Sequence, residues 1–286
     1  MNLEVNGKRV FVATGGLETN ADGQPPPSMV LVHGAGMDSS VWQLQTRHLA
    51  HRAKQYGRGP VLAVDLPGHG RSEGPPLTSV EDLAQWLADL LTSCEPGAGE
   101  TVHDGHRDDH LAGPTIVGHS MGTFIALELA AGRPQLVGSL VLVATAAAMP
   151  VNEVLMNAAR ADLPLAAGLI TGWSHGSTAK VAPSPSPGLS LTGGSAALVE
   201  RTAPGVLATD LAACAAYDPV EAAAVVQCPT TLVLGRADKM TPTRAAEPLI
   251  QALGPTTGPD VITLDCGHMA MTEAAADLRA ILRSKL

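Results

Sequence analysis

Along most of this chain, short continuous apolar runs alternate with segments whose apolar residues recur at helical spacing. That alternation predicts a parallel sheet with crossover helices. The runs that read as strands are Leu3–Val5, Val10–Ala13, Met29–His33, Val61–Asp65, Pro114–His119, Leu140–Val143, Thr231–Gly235 and Val261–Asp265. The first two flank Asn6-Gly7, a hairpin signal, so they should pair antiparallel to each other. Helical spacing covers residues 40–55, 80–91, 123–131, 243–253 and 270–283. Ser79 caps the second of these segments, with Asp82 at the capping-box position. The alternation lapses between Thr145 and Tyr217, where apolar helical stretches surround the Pro183–Gly188 run. There a helical insertion over the sheet edge is expected, tied by a stiff, extended Pro/Ser segment. The reading is an α/β fold with a mostly parallel, eight-stranded sheet flanked by helices. Residues 1–144 and 218–286 form its core, and residues 145–217 a helical cap.

Composition narrows the classes. The 286 residues carry 18 Lys and Arg against 27 Asp and Glu, a formal charge of −9. That balance argues against a protein that tracks nucleic-acid phosphates or clings to anionic lipid. With 45% hydrophobic residues and only 2% aromatics, the core must be filled by Ala, Leu, Val and Met. The N-terminal residues alternate apolar and polar around Lys8 and Arg9, unlike a secretory leader. No uninterrupted apolar run is long enough to span a bilayer. Cys94, Cys214, Cys228 and Cys266 are scattered without a C-x-x-C pair and read as small buried hydrophobes of a cytoplasmic protein.

The chemistry starts at Gly118-His119-Ser120-Met121-Gly122, a Gly-x-Ser-x-Gly match between an apolar β-branched strand and an apolar helix. A strand–turn–helix setting lifts a serine Oγ onto a sharp elbow, and the flanking glycines remove clashes. A second match, Gly172–Gly176 around Ser174, has no strand before it and reads as part of a lid loop. A serine hydroxyl needs a base to take its proton, and the base needs an acid to orient it. Among ten histidines, His268 stands just beyond the last strand, in Asp265-Cys266-Gly267-His268-Met269. Strand-end loops on the same edge as Ser120 are where its partners should lie. Asp238 occupies the loop after the preceding strand, and is preferred over Asp265, too near His268 in sequence, and Asp218, in a less well placed turn. His33-Gly34-Ala35-Gly36 ends another strand. The Ala35 amide, with that of Met121 at the helix N-terminus, could bind a developing oxyanion.

Taken with Asp65-Leu66-Pro67-Gly68-His69-Gly70-Arg71-Ser72, these residues resemble the α/β-hydrolase superfamily. More narrowly they resemble its lid-bearing carboxylesterase, haloperoxidase-like and carbon–carbon hydrolase branch. The resemblance implies Ser120 as nucleophile, Asp238 as acid, His268 as base, and Ala35 with Met121 as oxyanion-hole donors. It implies that His69 and Arg71 brace loops, that His119 packs locally, and that no cofactor or metal is needed. A serine rather than an aspartate at the elbow disfavours dehalogenase and epoxide-hydrolase chemistry. The expected substrate is a small-molecule ester with an apolar, small-to-medium acyl group, the lid offering Leu155, Met156, Leu163, Leu165, Leu169, Ile170 and Trp173. Lactonase, thioesterase, carbon–carbon hydrolase and perhydrolase activities use the same triad, and some relatives keep it as ligand receptors. A non-catalytic interaction protein is disfavoured. Neither nucleic acid nor membrane is an expected partner, and a homodimer is compatible. Departing from the pattern, the polar stretch Thr101–His110 carries three histidines and three aspartates. It reads as a solvated loop, since its spacing matches no metal motif.

Overall fold

The computed structural model describes residues 1–17, 25–94, 113–180 and 190–286. Its strands are β1 (Asn2–Val5), β2 (Lys8–Ala13), β3 (Met29–Val32), β4 (Val61–Val64), β5 (Thr115–His119), β6 (Ser139–Val143), β7 (Thr230–Gly235) and β8 (Asp260–Leu264). They form one sheet in the order β1-β2-β4-β3-β5-β6-β7-β8. β1–β2 and β2–β4 are antiparallel, and every other pairing is parallel. The register sets Val32 beside both Val64 and Gly118, and His119 beside Val143. The carboxyl ends of β3, β5 and β6 therefore open at one edge.

The core helices are α1 (Gln43–Gln55), α2 (Val80–Ser93) and α3 (Met121–Gly132). Among the described residues the cap then holds α4 (Glu153–Ala161), α5 (Leu163–Ser174), α6 (Leu191–Glu200) and α7 (Val206–Ala216). After it come α8 (Pro219–Val225), α9 (Glu247–Thr257), α10 (Ala270–Glu273) and α11 (Ala275–Arg283). Successive strand residues point to opposite faces, so the central apolar runs split between two cores. Val30, Val32, Ile116 and Leu142 pack toward α2, α3 and α9. Met29, Leu31, Val117 and Val141 pack toward α1 and α11. The cap has its own apolar cluster of Leu155, Ala159, Ala167, Ile170, Val199, Leu207 and Leu211.

At two helices the fold departs from the sequence reading. The helix expected over 270–283 is two helices, because Ala274 leaves helical geometry (φ −125°, ψ 43°). Just before that break, the Glu273 carboxylate folds back to accept the N–H groups of Gly267 and Met269. The short helix α8 was not anticipated. It is nucleated by Asp218, which caps it by accepting from Val220 N–H at 3.0 Å, and by Pro219 in its first turn. Ser79 caps α2 through Asp82 N–H, as the pattern predicted. Among the described residues no helix is long and apolar enough to cross a membrane. The Pro183–Gly188 run and the His/Asp-rich stretch at 101–110 lie outside the described residues.

Candidate active site

Ser120 joins β5 to α3 with φ +51° and ψ −119°, a backbone conformation unusual for a residue with a side chain. The tightness of this elbow explains its glycines. A Cβ on Gly118 would lie 2.2 Å from the Gly122 carbonyl oxygen, and one on Gly122 would lie 2.5 Å from that of Val32. The turn is held on both sides. Ser120 N–H donates to Val143 at 3.0 Å, and the Ser120 carbonyl accepts from Thr123 N–H and Oγ1.

His268 is buried, and its Nδ1 lies 2.8 Å from Asp238 Oδ2. The carboxylate is saturated on its other sides. Oδ1 accepts from Met240 N–H and Thr241 N–H, and Oδ2 from Thr241 Oγ1 at 2.7 Å. Burial alone would raise the Asp238 pKa. The neighbouring His268 and the bonds from it and Thr241 outweigh burial, so the carboxyl is held below its ordinary range. An acceptor on Nδ1 leaves Nε2 free to take a proton. The His268 backbone is fixed as well: its N–H donates to the Ser174 carbonyl at 2.6 Å, and its carbonyl accepts from His119 Nε2 at 3.0 Å.

The loop after β3 is built around His33. Its Nε2 accepts Leu66 N–H at 3.1 Å and its Nδ1–H donates to the Gly34 carbonyl at 2.9 Å. Burial, then the nearby His69, pushes the His33 pKa down to about 4. His119 is equally buried. Burial, then the adjacent His268, lowers it to about 3. Gly36 (φ +63°) donates its N–H to Asp210 Oδ2 at 2.8 Å, an acid carried on α7 of the cap. His69 donates to the same oxygen through Nε2, while Arg71 lays its guanidinium over the Phe11 ring, 3.2 Å from the centroid.

Ala35, Ser120 and His268 line one cavity of about 320 Å³. Its walls include Met37, Met149, Leu155, Ile170, Trp173, Leu211 and Met240, with Lys239 also at the lining. Met121 begins α3, and first-turn N–H groups of a helix have no partner inside it. Of the lid residues singled out from sequence, Leu155, Ile170 and Trp173 reach this cavity. Met156, Leu163 and Leu169 pack within the cap, and Leu165 is exposed. The other candidates lie elsewhere. Asp265 pairs with Arg236 on the surface, and Asp218 caps α8. Ser174 is the last residue of α5 rather than part of a loop, and its Oγ meets the adjacent His175 ring. All four cysteines are unpaired, with Cys214 and Cys266 buried.

Sequence reasoning missed Asp210 and Glu273. Glu273 accepts from the N–H groups of Gly176 in the cap and of Gly267 and Met269 beside His268. For Asp210 a signal was present: it shares the buried face of α7 with Leu207, Leu211 and Cys214. A carboxylate in such a row demands partners.

Lipase LipV of Mycobacterium tuberculosis is 28% identical over 267 residues, covering 91% of this chain and 94% of that protein. Esterase Rv0045c of the same organism is 32% identical over 139 residues, 46% of this chain and 37% of that protein. Other mycobacterial relatives, uncharacterized proteins, match at 37% identity over 28% of their own length. Among solved structures, the enol-lactonase from Burkholderia xenovorans superposes with a TM-score of 0.77 at 20% identity, covering 100% of this chain and 99% of the other. The family model for the alpha/beta hydrolase family matches residues 29–281, which takes in the elbow, the Asp238 and His268 loops and the cap; the chain belongs to that family.

Proposed function

We propose that this protein is a serine esterase, cleaving carboxylic esters with an apolar acyl group of small to medium size. Ser120 is the nucleophile, His268 the base, Asp238 the acid that orients it, and the Ala35 and Met121 amides the oxyanion donors. One observation carries the reading. A serine held at positive φ on a strand–helix elbow shares a cavity with a histidine whose far nitrogen is 2.8 Å from a buried carboxylate. The esterase and lipase among the relatives support the same class.

His268 Nε2 takes the Ser120 proton as Oγ attacks the carbonyl carbon. The electron pair of the carbonyl moves to its oxygen, which the Ala35 and Met121 N–H groups stabilise. The imidazolium, held by Asp238, gives its proton to the departing alkoxide, leaving an acyl-enzyme and an alcohol. Water deprotonated by His268 attacks the acyl carbon, and the carboxylic acid leaves as Ser120 regains its proton. A cavity of about 320 Å³ walled by Met, Leu, Ile and Trp lies at the small end of ligand sites, ~300–1,000 Å³. That suits a short or medium acyl chain rather than a long lipid. The test is labelling by a fluorophosphonate together with turnover of a chromogenic ester series of increasing acyl length. Both should be lost in Ser120→Ala, with kcat falling ~10⁴–10⁶-fold. A variant keeping a tenth of the rate refutes the nucleophile. Lactone, thioester and diketone substrates assayed alongside separate the esterase from other chemistries on the same groups.

A further inference from the structure

Beside its own bond from His33 to the Gly34 carbonyl, the loop that carries Ala35 is held at Gly36 by the cap. Gly36 N–H donates to Asp210 Oδ2 at 2.8 Å, and the Gly36 carbonyl accepts from Thr202 Oγ1 at 2.7 Å. The two peptide planes flanking Gly36 are thus each fixed by a cap side chain. A Cβ on Gly36 would lie 2.7 Å from Leu207 Cδ1, so α7 presses directly on the loop. Asp210 itself is 1% exposed. Its Oδ2 also accepts from His69 Nε2 at 2.8 Å, while Oδ1 has no hydrogen-bond partner among the described residues. The other nitrogen of His69 faces the Pro67 carbonyl at 2.9 Å. With an acceptor at each nitrogen the ring carries both protons, and a buried imidazolium balances the buried carboxylate. Burial opposes that charge, but the bond and charge of Asp210 outweigh it and raise the His69 pKa.

We propose that Asp210 is a positioning residue for the oxyanion hole, a cap-borne carboxylate that fixes the Ala35–Gly36 peptide so that Ala35 N–H faces the reacting carbonyl. The proposal rests on the Ser120 reading above. An ion pair isolated from water is a poor source of net stability. Its geometric effect is different: without Asp210 the loop keeps its covalent path but loses the bond that orients the peptide next to the donor. A displacement of ~1 Å at such a site costs ~100-fold in rate.

The experiment compares wild type, Asp210→Ala and Asp210→Asn by kcat and KM on a chromogenic ester, by the rate of phosphonylation with a fluorophosphonate, and by thermal melting. The phosphoryl oxygen of the probe enters the same hole as the carbonyl oxygen. Asp210→Ala is expected to lose about 100-fold in kcat, with KM within about threefold because ground-state binding is untouched. Phosphonylation should slow in step. Asp210→Asn keeps an acceptor for Gly36 N–H while losing the charge, so a smaller loss of about 5- to 20-fold is expected. A folded variant of either kind, melting lower but with kcat and phosphonylation within twofold of wild type, overturns the proposal in favour of a structural role. Should Asp210→Ala fail to fold, Asp210→Asn decides alone by the same criterion. If wild type itself is not labelled at Ser120, the nucleophile reading falls, and this one with it.

Discussion

His33 and His119 give the molecule a defined weakness to acid. Among the described residues neither ring has an acceptor for a second N–H. His33 Nε2 already accepts the Leu66 N–H, so a second proton there would meet a donor. His119 donates through Nε2, and its buried Nδ1 has no hydrogen-bond partner among the described residues. Both are held neutral, with pKa values near 4 and 3 against an ordinary 6.5. In the unfolded chain the same rings protonate near 6.5, so the unfolded state binds more protons as pH falls. The stability these two rings contribute is therefore complete above pH 6.5 and declines below it, down to the depressed folded values. His175 and His48, also lowered by burial, act in the same direction. Each buried ring contributes up to ~1.4 kcal/mol per pH unit, so the pair costs about 4 kcal/mol between pH 7 and pH 5. Against a total stability of ~5–15 kcal/mol that is a large fraction. With a urea slope of ~3 kcal/mol per molar, the midpoint should fall by more than ~1 M. His119→Gln, whose amide N–H can still serve the His268 carbonyl, should shed about half of that pH sensitivity. Urea melts followed by circular dichroism at pH 7, 6 and 5 measure it. A midpoint unchanged to within ~0.3 M over that range would refute the claim that these rings are buried neutral.

Alkaline conditions probe the opposite case. His69 is raised, so its contribution is complete below pH 6.5 and lost as pH rises through the raised folded value. Melting temperature followed from pH 6 to 9 should fall in wild type and stay flatter in Asp210→Asn. Gly118→Ala would force a Cβ to 2.2 Å from the Gly122 carbonyl oxygen, a backbone atom that cannot swing away. It should destabilise by at least ~2 kcal/mol and abolish turnover, and a thermal melt at wild-type temperature would count against the elbow's tightness. Asp238→Asn leaves the shape intact but favours the wrong His268 tautomer, so kcat on an ester should drop ~10⁴-fold with folding preserved. Glu273→Ala strands the N–H groups of Gly176 and Gly267, at ~1–3 kcal/mol each; chemical denaturation reads the loss directly.

The centre of the sheet was legible because its strands are buried on both faces and so appear as unbroken apolar runs, such as Met29–Val32 and Leu140–Val143, while the edge strands β1, β2 and β8 keep exposed positions. The elbow was legible because its geometry forces glycine at two fixed positions. That Asp238 and His268 would meet could be read from sequence because strand-end loops on one edge of a parallel sheet converge. The cap resisted the same treatment. The bond from His268 N–H to the Ser174 carbonyl runs between backbone atoms, which leave no mark on residue type. Asp210 and Glu273 are single acids that each reach a partner far away in the chain, Gly36 at 174 residues and Gly176 at 97, although Glu273 also bonds nearby Gly267 and Met269. The break at Ala274 was hidden because alanine favours a helix and so carries no stop signal.

That Ser174 carbonyl turns the end of α5 into a stop for the loop bearing His268. A chimera that exchanged residues 145–217 for another lid would remove the stop along with the lid. Such grafts should fail in chemistry before they fail in folding, unless the incoming segment ends a helix at the same height above the sheet.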